Sequence, residues 1–86
     1  MPRALTIKRT VVPQPERKKY LERLQLRRDY YKRASCNFWV FEEAGLPGAF
    51  IEFTEATDAA VLTAAHANAP DVVFDATRVY KEVEIG

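Results

Sequence analysis

The chain has 86 residues, 48% apolar and 29% charged, with only three Gly and five Pro, which excludes a disordered or fibrous protein and predicts one domain over residues 1–86. No apolar run approaches the roughly 20 residues that span a bilayer, and the N-terminus lacks the apolar core of a signal peptide, so we expect no transmembrane segment and a cytoplasmic location. The net charge of +1 hides a division: residues 1–41 carry eleven Lys and Arg against three acids, and residues 42–86 carry two against nine.

The first two predicted elements are a strand and a long helix. Residues 4–12 alternate apolar and polar side chains, as a strand does, and a Pro-Gln-Pro sequence follows them. From Glu16 to Ala34 apolar side chains recur at helical spacing between basic ones. This pattern predicts a helix that lies on the surface of the domain with one face buried.

The second predicted strand covers residues 36–42 and carries large apolar side chains on both of its sides. Phe38 and Val40 point to one side, and Trp39 and Phe41 point to the other. Burying two such side chains contributes on the order of 4–6 kcal/mol. We therefore expect both faces of this strand to be covered.

Four further segments complete the predicted order. They are a strand over 49–54 that follows a turn over 43–48, a helix that Thr57 or Asp58 caps and that ends near Ala67, an apolar loop over 71–75, for which a short strand or a helical turn is the alternative, and a last strand over 77–85.

The element order βαββαβ predicts an α+β fold, a ferredoxin-like sandwich. In this fold two helices cover one face of a four-stranded antiparallel sheet. The other face meets water unless something lies on it. Because the second strand is apolar on both sides, we expect the other face to be paired in a homodimer.

Residues 30–42, followed by residues 46–53, resemble the helix, strand, Pro-Gly turn and strand of the dimeric α/β-barrel superfamily. That group includes NIPSNAP-like and antibiotic-biosynthesis-monooxygenase-like small proteins. The resemblance implies a two-sheet dimer with a cleft between the sheet and the first helix, where members bind small organic molecules. The residues that would line such a cleft here are Tyr30, Tyr31, Asn37 and Trp39. Ordinary packing of aromatic side chains in the core is the alternative interpretation.

His66 and Asn37 are the candidates for catalysis. His66 has the only side chain whose unperturbed pKa suits acid–base chemistry near neutrality, although a histidine near a helix end also suits a structural role. The family's catalytic histidines lie elsewhere, so the resemblance assigns His66 no role. Cys36 and His66 lack the spacing of a metal site, and no cofactor motif is present.

The predicted first helix is strongly basic, with eight Lys and Arg between Arg17 and Arg33. Arg23 and Arg27 are the candidates for binding an acidic protein partner or a membrane surface, and a solvated helix face is the alternative. Nucleic acid is not favoured as a partner, because the second half of the chain is acidic and no recognition motif accompanies the basic residues. Three hypotheses follow: a homodimeric binding or assembly domain that holds a small organic ligand in an apolar cleft, a cofactor-independent monooxygenase- or isomerase-like enzyme, and an accessory subunit that docks through its basic helix.

Overall fold

The computed structural model describes residues 2–69 and 78–86. Within these residues six main elements follow one another in the predicted order. They are β1 (Ala4–Val11), α1 (Arg17–Arg33), β2 (Asn37–Glu42), β3 (Ala49–Ala56), α2 (Ala59–Ala67) and β4 (Val79–Lys81), and a short 3-10 turn at Gln14–Glu16 leads into α1.

The four described strands form one antiparallel sheet in the order β2-β3-β1-β4. Both helices cover the same face of it: Tyr31 of α1 stacks on Phe38 of β2 with ring centroids 5.4 Å apart, and His66 of α2 hydrogen-bonds Thr6 of β1. Phe38 and Thr6 share that face because both pair with Thr54 of β3. The predicted α+β, ferredoxin-like fold is confirmed.

The helices begin where local chemistry satisfies or removes their first N–H groups. Pro15 lies in the 3-10 turn before α1, where its missing N–H leaves no donor unsatisfied. Asp58 caps α2, since its side chain accepts a hydrogen bond of 2.8 Å from the backbone N–H of Val61. The predicted cap of the second helix is therefore confirmed at Asp58.

The hairpin between β2 and β3 docks against the end of β1 through Gly48. The backbone N–H of Val12 donates to the carbonyl of Gly48 at 2.8 Å. Gly48 has a φ of +94°, and a Cβ at this position would lie 2.8 Å from the Val12 carbonyl oxygen. Only glycine fits both the backbone angle and the contact.

The last strand is shorter than predicted. It was expected over 77–85 but covers Val79–Lys81, and the only later strand-like contact in the described part is the bond from the N–H of Glu82 to the carbonyl of Arg3 at 2.8 Å. The partner strand β1 begins at Ala4, so residues past Glu82 have no described strand beside them. The predicted loop at 71–75 lies outside the described residues.

Candidate functional site

The open face of the sheet is apolar, unlike that of a normal half-solvated sheet, and the face under the helices holds buried polar groups beside its apolar core. In such a sheet the face under the helices is apolar and the open face is polar. Here the face under the helices includes Thr6, Glu52 and Thr54, all buried. The open face carries eight large apolar side chains, which alternate with the covered ones along the strands: Leu5, Ile7, Val11, Trp39, Phe41, Ile51, Phe53 and Tyr80.

The centre of the open face is a row of apolar side chains that crosses three strands. Ile7 of β1 pairs with Phe53 of β3, and Phe53 pairs with Trp39 of β2. Phe41 packs edge-on against Phe53, with ring centroids 5.7 Å apart. Trp39 is still 45% exposed and Phe41 59% exposed. A contiguous exposed aromatic patch of this kind is uncommon on a protein that is monomeric in water.

Polar groups lie at the two ends of this apolar patch. At one end Arg3 contacts Glu55 at 3.0 Å, and the side-chain amide of Asn37 donates to the same carboxylate at 2.8 Å. Towards the other end Arg9 lies on the same face between Ile7 and Val11, 3.9 Å from Glu43. An apolar centre with charged groups of both signs at its border is the usual anatomy of a protein–protein interface.

Under α1 the sheet holds a buried ion pair. The guanidinium of Arg27 lies 2.9 Å from the carboxylate of Glu52, which also accepts a hydrogen bond of 2.8 Å from the hydroxyl of Tyr20. Burial, and next this hydrogen bond, raise the pKa of Tyr20. Of the two candidates for binding a partner, Arg27 faces inward and is buried, whereas Arg23 is exposed.

A second buried network joins both helices to the sheet through His66. Its Nε2 lies 2.8 Å from the hydroxyl of Thr6, and its Nδ1 lies 2.8 Å from the hydroxyl of Tyr31. A neutral imidazole donates from one nitrogen and accepts at the other, so one of these hydroxyl groups accepts from the ring and the other donates to it. Burial lowers the pKa of His66 and raises the pKa of Tyr31. The arrangement holds the imidazole neutral and in a fixed orientation.

Acidification from pH 7 to pH 5 is expected to lower the free energy of unfolding through His66. Above the unfolded-state pKa of about 6.5 the ring is neutral in both states; below it, the unfolded chain takes up the proton first, because the folded pKa is lower. Stability then falls until the folded pKa is reached. Salt bridges hold the pKa of Glu42 at about 2 and lower the pKa of Glu82. These two carboxylates therefore take up protons, and change the stability, at lower pH than His66 does.

Urea titrations of the wild type and of His66→Gln between pH 7 and pH 5 measure this effect. The glutamine cannot take up a proton, so its stability should be nearly flat over this range while that of the wild type declines. Equal slopes for the two proteins would show that His66 is not the group that titrates.

The structure divides the predicted cleft residues between the two sides of the sheet. Tyr31 of α1 is buried against the covered face of the sheet, and the hydroxyl of Tyr30 donates to the carbonyl of Ala65 at 2.7 Å. Asn37 and Trp39 lie on the open face instead. The four side chains therefore do not line one cleft, because Tyr30 and Tyr31 belong to the helix that covers one face of the sheet and Asn37 and Trp39 point to the other face. For the same reason Asn37 and His66, the two catalytic candidates, lie on opposite sides of the sheet.

Sequence reasoning missed the two buried networks and the residues that complete them. The signal was present in β3, where Glu52 and Thr54 alternate with Ile51 and Phe53. The apolar set of a strand normally marks the face under the helices. In β3 the apolar residues Ile51 and Phe53 lie on the open face instead, and a single sequence does not distinguish the two arrangements.

The fold and the apolar open face define a small ferredoxin-like α+β protein whose uncovered sheet face is apolar. Comparison with protein-family models, with curated proteins and with solved structures gave no match. Among residues 2–69 and 78–86, no group of three or more His, Cys, Asp or Glu side chains is arranged to hold a metal ion, and neither helix is long and apolar enough to cross a membrane.

Proposed function

We propose that the protein is a homodimeric binding or assembly domain of the dimeric α/β-barrel kind, in which the open faces of two sheets pack against each other. The observation that carries this proposal is the exposed aromatic pair Trp39 and Phe41 at the centre of an apolar sheet face. On a chain that is a monomer in water this surface would carry a large solvation cost.

The exposed apolar area is large enough for association. The exposed fractions of Ile7, Val11, Trp39, Phe41 and Tyr80 correspond to roughly 500 Å² per copy. Two copies would together bury roughly 1,000 Å², which is the lower bound for a specific interface. Burial of this apolar area favours association, and it has to offset association costs of about 4–15 kcal/mol.

A second copy of the same chain fits this surface better than a strongly charged partner does. Arg9, which lies on this face between Ile7 and Val11, contacts Glu43, and Arg3 contacts Glu55 at the opposite end, so each charged group on the patch has a partner of the other sign. A surface with balanced charges does not select a partner of one sign. In a two-fold contact, the apolar centre meets itself and no excess of like charge is buried.

Light scattering over a wide dilution series at two salt concentrations tests the proposal. A dimer has twice the chain mass of 9.8 kDa, and its mass should persist at high salt because apolar burial is not screened. A mass of one chain at all concentrations would overturn the proposal, and a dimer that dissociates in high salt would point to an electrostatic interface elsewhere.

A further inference from the structure

Arg9 places a positive charge within the apolar open face. Along β1 it lies between Ile7 and Val11 on this face, and across the sheet it pairs with Ile51. The carboxylate of Glu43 is 3.9 Å from its guanidinium, which is too long for a hydrogen bond. Both side chains are more than half exposed, so water solvates this charge in the single chain. In the proposed dimer the open face loses that water, and the guanidinium then needs a closer carboxylate.

The opposite end of the open face carries an excess of negative charge in the described part of the chain. Arg3 donates to both oxygens of the Glu82 carboxylate, at 3.0 and 2.8 Å, and to the carboxylate of Glu55 at 3.0 Å. Glu55 pairs with Leu5 of β1, which places it on the open face. Two carboxylates thus share one guanidinium, and this group of three, here called the acidic end, accepts a further cation.

Arg9 and Glu55 lie at matching distances from the centre of the open face. The central row contains Ile7 and Phe53, the Arg9 row lies two residues along the strands on one side of it, and the Glu55 row lies two residues along on the other side. At about 3.3 Å per residue, each row is about 7 Å from the centre. A two-fold axis in the interface plane, through the central row and perpendicular to the strands, therefore places the Arg9 row of one copy over the Glu55 row of the other.

The charges disfavour the other simple orientation of the axis. An axis parallel to the strands would place each row over the same row of the second copy. The two acidic ends would then meet, so that four carboxylates would share two guanidinium groups. Arg9 would lie over its own row, which also contains Phe41 and Ile51. Like charges brought together weaken an interface, and a desolvated charge over apolar side chains does so as well.

We infer that Arg9 of each copy binds the acidic end of the other copy, with Glu55 as its principal partner. This inference rests on the proposed homodimer and fixes its orientation, with β1 over β1 and the two-fold axis perpendicular to the strands. In this orientation Arg9 lies over Leu5 of the second copy, and Glu55 is directly beside that leucine. The dimer contains two such ion pairs, so each guanidinium that the apolar contact desolvates has a carboxylate partner.

Arg9→Glu tests the inference, because it places a carboxylate over the acidic end. The Arg9 side chain is exposed in the single chain, so circular dichroism should show an unchanged fold. Sedimentation equilibrium should show the dissociation constant of the dimer raised at least about tenfold. Arg23→Glu makes the same change of charge on the exposed surface of α1, and Glu43→Gln removes the carboxylate near Arg9 within the chain. Both controls should dimerise like the wild type.

A charge swap distinguishes a direct contact from a general effect of charge. Glu55→Arg should weaken the dimer, because it places two cations opposite each other. Mixed Arg9→Glu and Glu55→Arg chains should form heterodimers in preference to either homodimer, since both contacts across the axis then join opposite charges. Native mass spectrometry resolves the heterodimer by its mass. Glu55 also accepts a hydrogen bond from Asn37, so Arg9→Glu and its controls are decisive if Glu55→Arg does not fold.

The outcomes separate this inference from the proposed function. A dimeric wild type whose affinity is unchanged in Arg9→Glu, or is weakened equally in Arg9→Glu and Arg23→Glu, would overturn this inference alone. Folded swap variants that pair at random would do the same. A monomeric wild type would overturn the proposed function and this inference together.

Discussion

Arg27→Ala is expected to lower the free energy of unfolding by about 3–5 kcal/mol, the cost of breaking a buried ion pair on one side. The change leaves the Glu52 carboxylate, 4% exposed as a residue, with the hydroxyl of Tyr20 as its remaining described hydrogen-bond donor. An uncompensated buried charge is expensive because the interior solvates it poorly. Since a domain of this size has a total stability of about 5–10 kcal/mol, the variant should unfold at a much lower urea concentration.

Two further variants separate the buried charge from the loss of packing. Arg27→Leu combined with Glu52→Leu removes both charges and should recover most of the lost stability, because a well-packed apolar pair often replaces a buried ion pair without loss. Arg17→Ala breaks the exposed pair with Glu42 and should lower the stability much less than Arg27→Ala, because water screens an exposed ion pair. If Arg27→Ala costs no more than Arg17→Ala, the ion pair is not buried in solution.

Trp39→Asp is expected to raise the dissociation constant of the dimer at least 100-fold. Truncating a central aromatic residue of an interface costs about 2–4 kcal/mol, and the new carboxylate would in addition be desolvated in the dimer. In the single chain Trp39 is 45% exposed, so the fold should persist. Light scattering should give the mass of one chain, with an unchanged far-ultraviolet circular dichroism spectrum. Phe41→Asp, at a more exposed position on the same face, should behave in the same way.

Leu26→Asp is the matched control, because this substitution places the same charge at an exposed apolar position of α1, outside the open sheet face. A dimer of unchanged affinity in both Trp39→Asp and Phe41→Asp would place the interface elsewhere on the chain.

The fold followed from the sequence because its signals are local. The alternation in residues 4–12, the helical spacing up to Ala34, the turn chemistry before Ala49 and the cap at Asp58 each act within a few residues. Their order then left few arrangements of one sheet and two helices. The two apolar sides of β2 were also visible, and they led to the expectation that both faces of the sheet are covered.

The position of the side chains on the two faces did not follow from the sequence. Periodicity shows which residues of a strand share a face, but not which face lies under the helices. Trp39 and Tyr31 were therefore assigned to one cleft, although they lie on opposite sides of the sheet. Arg27 was named with Arg23 as a candidate for partner binding, because its partner Glu52 is 25 residues away in the sequence and no local pattern joins the two. Pairing over such a distance is decided by tertiary packing.

Fluorescence of Trp39 across a protein dilution series is the most direct test of the central claim that the open sheet face is a homodimer interface. The chain has one tryptophan, so the emission reports this face alone. The account predicts emission at shorter wavelength in the dimer than in the Phe41→Asp monomer, and a shift to longer wavelength on dilution at the concentration where the wild-type mass halves. An emission maximum equal to that of the Phe41→Asp monomer at every concentration would contradict it.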